Sequence, residues 1–252
     1  MKIITAVKVV ADDQDITAAA DGSLDMSKAR PTISAYDTNA IEIAAQLAAA
    51  DEGSSVKVLT AGDAAIDESK LKKNILARGA DELIMVADDA CADMDAHATA
   101  QVLSAALGDE EFDLIVCGDG SADNYAQQVD VQLAHALGIP AVNAVSSIEV
   151  TGNGVKATRR LEDVVEVVEL DFPCLVAVTP EVALPRIPGM KDILKAGKKP
   201  MNVTGAPCQP AAATQIEAVK APEAAERKLQ IANAADDGAI DQFAQALKSA
   251  LQ

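Results

Sequence analysis

Residues 113–137 read DLIVCGDGSADNYAQQVDVQLAHAL. An unbroken apolar run, Leu114–Cys117, stops at Gly118-Asp119-Gly120, and a helical pattern over 124–137 then places Val129, Leu133 and Leu137 on one stripe. A strand that is apolar at every position, not at alternate ones, is buried on both faces, as in a parallel sheet covered by helices. The same unit recurs upstream. Residues 2–10 form an apolar strand, 37–50 (DTNAIEIAAQLAAA) a helix with Asp37 as N-cap and Ile41, Ala44, Ala45 and Ala48 facing inward. Strand 56–60 precedes helix 64–77, strand 82–86 precedes helix 95–107, and a strand near 141–145 closes the set. Alternation of this kind predicts an α/β fold, a doubly wound, Rossmann-like parallel sheet. Ligands of such sheets lie at the carboxyl ends of the strands, which here means Ala6–Val10, Thr60–Gly62 and Gly118–Asp123.

After Ser146 the pattern changes. Residues 147–179 carry the turn Gly152-Asn153-Gly154 and three strand-like runs, the signature of an antiparallel excursion. Pro185-Arg186-Ile187-Pro188-Gly189-Met190 reads as an exposed, shaped loop within 183–200. Residues 205–226, rich in Ala and Pro, read as an extended arm. An amphipathic helix over 237–251 follows, with Ile240, Phe243, Ala244, Leu247 and Leu251 on one face. The expected division is a domain over 1–200, including the excursion and the loop, and an arm plus helix over 201–252.

Composition narrows the function classes. The net charge of −18 opposes binding to nucleic acid. No apolar run reaches the roughly 18 residues of a membrane span, and the first residues lack the order of a signal peptide, so no membrane insertion and a cytoplasmic location are expected. Aromatics make up only 2% of the chain, so the core must be aliphatic. The four cysteines (Cys91, Cys117, Cys174, Cys208) have no CxxC spacing and read as small buried hydrophobes. With only His97 and His135, no metal site is expected, and no nucleophile–base pair can be assembled, so no catalytic residue is assigned.

Two segments carry chemistry. The loop Gly118–Asp123 lets backbone amides approach an anion at a helix N-terminus; the plain alternative is a strand–helix turn with Asp123 as N-cap. It matches neither a Walker loop nor GxGxxG. Arg186, Lys191, Lys195, Lys198 and Lys199, against Asp192 alone, form a basic island in an acidic chain. That island is either a solvated helix face or a docking patch with Met190 as its apolar anchor.

The wider pattern Gly118-x-x-Ser121-x-Asp123-x-x-x-x-Gln128 resembles the nucleotide loop of electron-transfer flavoprotein β (small) subunits. The strand end Ala6-Val7-Lys8, the run Ser34-Ala35-Tyr36-Asp37 and Ala61 resemble further contacts of that family. Residues 157–177 (ATRRLEDVVEVVELDFPCLVA) are similar to its β-subunit signature, and 185–200 to its partner-recognition loop and helix. ADGSLD (20–25), ISAYDTNAIE (33–42) and GDGSADNYAQQV (118–129) resemble the FixA-type branch.

The resemblance implies an electron carrier, not an enzyme by itself. It implies a nucleotide site formed by Ala6, Val7, Lys8, Ser34, Ala35, Tyr36, Asp37, Ala61 and the whole of Gly118, Asp119, Gly120, Ser121, Ala122, Asp123, Asn124, Tyr125, Ala126, Gln127, Gln128 and Val129. The implied ligand is AMP, or a second FAD in electron-bifurcating members that oxidise NADH. A further FAD is shared with an α subunit, and the implied electron partner is a dehydrogenase such as an acyl-CoA dehydrogenase. A rival reading is a stress-type ATP-binding α/β domain, which leaves 147–200 without a role.

Overall fold

The structure is a computed structural model that describes residues 1–223, 229 and 231–251. The elements run β1 (Lys2–Ala6), β2 (Val9–Ala11), β3 (Thr17–Ala18), β4 (Leu24–Asp25), β5 (Pro31–Ile33), α1 (Ala35–Ala50) and β6 (Ser55–Gly62). They continue through α2 (Ser69–Ala77), β7 (Glu82–Ala87), α3 (Ala96–Leu107), β8 (Leu114–Gly118) and α4 (Val129–Leu137). Then come β9 (Ala141–Val150), β10 (Gly154–Arg160), β11 (Val165–Asp171), β12 (Cys174–Val178), α5 (Met190–Ala196), β13 (Met201–Thr204) and α6 (Ala239–Ala250).

Nine strands form one sheet in the order β11-β10-β9-β12-β8-β1-β6-β7-β13. β9 through β13 in that order pair in parallel, and β10 and β11 pair antiparallel at one edge. The sheet has the doubly wound, helix-covered character that the apolar strands predict. Side chains alternate across it. Ile3, Val58, Leu83 and Leu114 face α1 and α2, while Ile4, Leu59, Ile115 and Leu175 face α3 and α4. Ala40 and Ala44 are fully buried on α1. Their short side chains bring the helix close to the strands, which is how a core with few aromatics packs without voids.

Several elements differ from expectation. The first strand breaks after Ala6, and β2 turns away to pair antiparallel with β5. Helix 64–77 splits into a short turn, Ala64–Ile66, capped by Asp63, and α2. The helix expected from 124 starts at Val129, because Tyr125 (φ 45°) and Gln127 (φ 53°) take left-handed conformations that no helix accommodates. Asp123 is therefore not its cap. β9 runs on to Val150, so the excursion is a continuous hairpin extension, and β12 returns between β8 and β9. Met201–Thr204 pairs with β7 as an edge strand of the sheet.

Met1–Thr17 with Asp25–Val219 forms one compact unit, and Ala18–Leu24 with Lys220–Gln252 a second. Within the second, the amide of Ala221 donates to the Gly22 carbonyl at 2.9 Å, and α6 leaves Ile240, Phe243, Leu247 and Leu251 exposed. Of the arm and helix expected over 201–252, residues 224–228, 230 and 252 lie outside the described residues, 224–226 of them in the arm expected over 205–226. Among the described residues no helix is long and apolar enough to cross a membrane.

Candidate functional site

The topology marks the place where a ligand crevice is expected before any side chain is considered. From β1 the chain winds to one side through β6 and β7, then crosses back to place β8 on the other side of β1. The loops leaving β1 and β8 diverge there, and such a switch point opens a crevice at the strands' carboxyl ends. Ala6 pairs with Cys117, so β1 and β8 end side by side.

Asp37 bridges the two ends. Its carboxylate accepts from the Lys8 amide at 2.7 Å and from the Gly118 amide at 3.0 Å. Ser34 adds a second tie: its amide donates to the Lys8 carbonyl, and its hydroxyl oxygen accepts from the Ala122 amide at 3.2 Å. The Lys8 ammonium then pairs with Asp123 at 2.5 Å. Three segments far apart in sequence thus share one network. Asp37, expected as an N-cap, instead lies inside the first turn of α1 and points at the strand ends. The helix begins two residues earlier, after Ser34.

Burial drives the Asp37 carboxyl up to about 7, against the opposing pull of the two amides and Lys8. Burial also pushes Asp123 upward, but the Lys8 ammonium and Ser121 hydroxyl outweigh it and leave that carboxyl below its usual range. The Asp37 shift has a definite sign. The folded state holds the proton more tightly than the unfolded chain does. The contribution is therefore complete below the ordinary value of 3.8 and is lost as pH rises through about 7. Asp37→Asn keeps a neutral side chain of the same shape. Wild-type stability, measured relative to this variant by urea titration, should fall between pH 5 and 7, by at most about 1.4 kcal/mol per pH unit. A difference that is flat with pH would disprove the shift.

The glycines of the loop are set by close approach. A Cβ on Gly118 would lie 2.6 Å from an Asp37 carboxylate oxygen, and one on Gly120 would lie 2.4 Å from the Tyr125 ring. Tyr125 folds back over Gly120 and packs against Tyr36, with ring centroids 5.0 Å apart. These are the chain's two tyrosines. Asp119 is buried and accepts from the Ala144 amide at 3.0 Å and the Gln127 side-chain amide at 2.6 Å, fastening the loop to β9. Such left-handed non-glycine residues each cost about 1–3 kcal/mol and concentrate where a ligand or a close contact requires them.

The sequence-predicted residues divide into groups. Ala6 and Val7 are buried and can offer only backbone, and Ala61 stands at the end of the adjacent strand. Ala35, Asn124, Ala126 and Gln128 are exposed around the rim, Tyr36 is half-buried, and Val129 opens α4. Sequence reasoning did not single out Asp130. It is buried in the first turn of α4, and neither carboxylate oxygen meets a donor among the described residues. Its signal was an acid beside the apolar stripe of that helix.

The segment 184–198 presents a second face. Leu184, Ile187, Met190 and Leu194 are all exposed, Ile187 at 94% and Met190 at 83%. Met190 opens α5, whose first turn is fixed by the Gly189 amide donating to Asp192. Lys191, Lys195 and Lys198 are exposed, whereas Lys199 donates to the Leu76 and Ala80 carbonyls at the end of α2. The Arg186 guanidinium is engaged by Glu42 at 2.6 and 3.0 Å. The sequence points to Met190 as an apolar anchor; Leu184, Ile187 and Leu194 are exposed in the same segment.

The crevice, its loop and the exposed segment all fall within residues 22–227, except for the β1 end with Lys8. Those residues match the family model of the electron transfer flavoprotein domain. The match spans most of the chain, and the chain belongs to the electron transfer flavoprotein family.

Proposed function

We propose that the chain is the β (small) subunit of a heterodimeric electron-transfer flavoprotein of the FixA-type branch, which binds AMP in the β1–β8 crevice and helps an α subunit hold FAD. Electrons would pass from a dehydrogenase to a downstream acceptor. The observation that carries the reading is the Asp37–Ser34–Lys8 network, which joins the three family-like segments at the switch point.

The residues suit an adenine nucleotide. The amides of the 120–128 loop other than those of Ala122 and Tyr125, which donate to Ser34 and Ser121, and the first turn of α4 are suited to a phosphate, with Lys8, paired to Asp123, as the cation beside them. Bound FAD supplies the redox chemistry; the role of this chain is to bind, orient and cover. Acid extraction of the co-purified heterodimer, followed by chromatography, tests the reading. One AMP and one FAD per heterodimer is the expected result. Two FAD would favour a bifurcating complex, and no nucleotide beyond the shared FAD would overturn the site.

The exposed 184–198 face is proposed as the dehydrogenase-docking surface, with Met190 as anchor and Lys191, Lys195 and Lys198 steering the encounter. Interface energy concentrates in a few apolar anchors, while rim charges act on association rate. Met190→Ala should slow electron transfer from the dehydrogenase about tenfold or more without loss of AMP or FAD, corresponding to roughly 1.4 kcal/mol or more. Met190→Leu should restore most of the rate. A Met190→Ala protein that passes electrons at the normal rate would remove the assignment.

A further inference from the structure

Two loops on the β7 side of the sheet are laced together by a matched pair of acids. Asp88 begins the connection from β7 to α3. One of its oxygens accepts from the Ala90 amide, and the other accepts from the Ala206 amide at 2.9 Å. Asp95 ends the same connection. It caps α3 through the Ala98 amide and accepts from the amides of Ala213 and Thr214 at 2.8 and 2.7 Å, and from the Thr214 hydroxyl. These donors hold the Asp95 carboxyl down at about 2, so the clip stays ionised across the physiological range. Residues 206–214 are thus a strap fixed at both ends, from Asp88 to Asp95.

One cysteine lies between the clips on each side. Cys91 closes the short turn after Asp88 and is buried. Cys208 lies two residues past Ala206, is half-buried, and packs against the small apolar cluster of Val86, Cys91 and Val102. Burial pushes the Cys91 thiol up, with smaller contributions from Asp88 and from Cys208 itself. The remaining cysteines cannot join this chemistry. Cys117 and Cys174 are buried on opposite faces of the sheet, in different clusters.

We propose that Cys91 and Cys208 are a peroxide-responsive thiol pair, closing as a disulfide that locks the 206–214 strap onto the β7–α3 connection. The chemistry assigns an order to the two thiols. Cys208, the more accessible, attacks hydrogen peroxide, cleaving the O–O bond, and becomes a sulfenic acid with release of water. The Cys91 sulfur then attacks the Cys208 sulfur and expels the second water. In sum, two thiols lose two electrons and two protons, and one peroxide is reduced to two waters. A small thiol reverses the step by exchange. The burial that disfavours the Cys91 thiolate keeps it the resolving, not the attacking, partner. A family of flavin-dependent carriers is a reasonable setting, because reduced flavins give peroxide with oxygen.

The test uses the full chain, treated with a small excess of hydrogen peroxide, denatured, alkylated without reduction and digested. Mass spectrometry should find a linked peptide containing Cys91 and Cys208, and free thiols should fall from four to two. The melting temperature should rise by about 5 °C or more and return on reduction with dithiothreitol. Cys208→Ser should abolish the rise and leave the other three thiols alkylatable, and Cys91→Ser should leave Cys208 as a trapped sulfenic or over-oxidised acid. Cys208-linked dimers, or Cys208 oxidised to sulfinic acid while Cys91 stays free in the wild type, would overturn the proposal.

Discussion

Gly118→Val is expected to cost roughly 2–6 kcal/mol of stability and to abolish binding of the proposed nucleotide in the β1–β8 crevice. The added Cβ alone would lie 2.6 Å from an Asp37 oxygen and 3.0 Å from the Tyr36 backbone carbon. The backbone cannot retreat, because Gly118 is the last residue of β8 and is paired with Val178 of β12. Asp37 must move instead, and it then loses the Gly118 amide. Overpacking costs about 1–3 kcal/mol, and a buried donor left without its acceptor about 1–3 more. Gly118→Ala should already show most of the second part. Because Gly118→Ala and Asp37→Ala remove the same hydrogen bond, their urea-denaturation losses should add to clearly more than the double variant shows. Simple additivity, or a Gly118→Ala midpoint equal to wild type, would mean that the loop is an ordinary turn.

The parts of this site differ in how far they could be read from sequence. Strands such as Leu114–Cys117 and Leu83–Val86 are continuous apolar runs, so their burial and parallel pairing follow from local composition alone. The strand ends, and with them the neighbourhood of the crevice, follow from the same pattern. Only the capping expectation for Asp37 fails, although a carboxylate at the start of an alanine-rich helix is a good local cap. What decides its role is a pair of amides 29 and 81 residues away, which no local window contains. The late start of α4 is a similar case. Residues 124–128 have ordinary helical composition, yet Asp119 takes the Gln127 side chain and Tyr125 lies over Gly120. Contacts within the loop itself, eight and five residues apart in sequence, override propensity there. Met201–Thr204 was read with the arm because a four-residue edge strand carries too little pattern to be recognised without its partner β7.

Arg186→Ala is expected to destabilise the protein by about 2–3 kcal/mol at pH 7, without any change at the β1–β8 crevice. Glu42 is buried on α1, and one of its oxygens accepts from both the Arg186 amide and Nε, the other from Arg186 Nη2 and the Gln46 side chain. Burial pushes the Glu42 carboxyl up, and the arginine and Gln46 more than reverse it, leaving it below its usual value. Stripping a buried carboxylate of its partner costs about 3–5 kcal/mol when both groups are enclosed; here the arginine side chain is 43% exposed, which lowers the figure. The pH dependence identifies the cause. The stability due to the depressed Glu42 value is present above its ordinary 4.5 and is lost as pH falls through the folded value. In the variant Glu42 can take up a proton at higher pH, so the deficit against wild type should shrink between pH 7 and 5. A deficit that is constant over that range would point to lost packing of the arginine stem instead. Arg186→Lys should recover only part of the loss, because an ammonium cannot reproduce the two-pronged contact. Arg186 also precedes the exposed Ile187 and Met190, so its loss would disturb the proposed docking face through this anchor. Charge reversal at Lys191 and Lys195, which have no such attachment among the described residues, is therefore the cleaner probe of docking electrostatics.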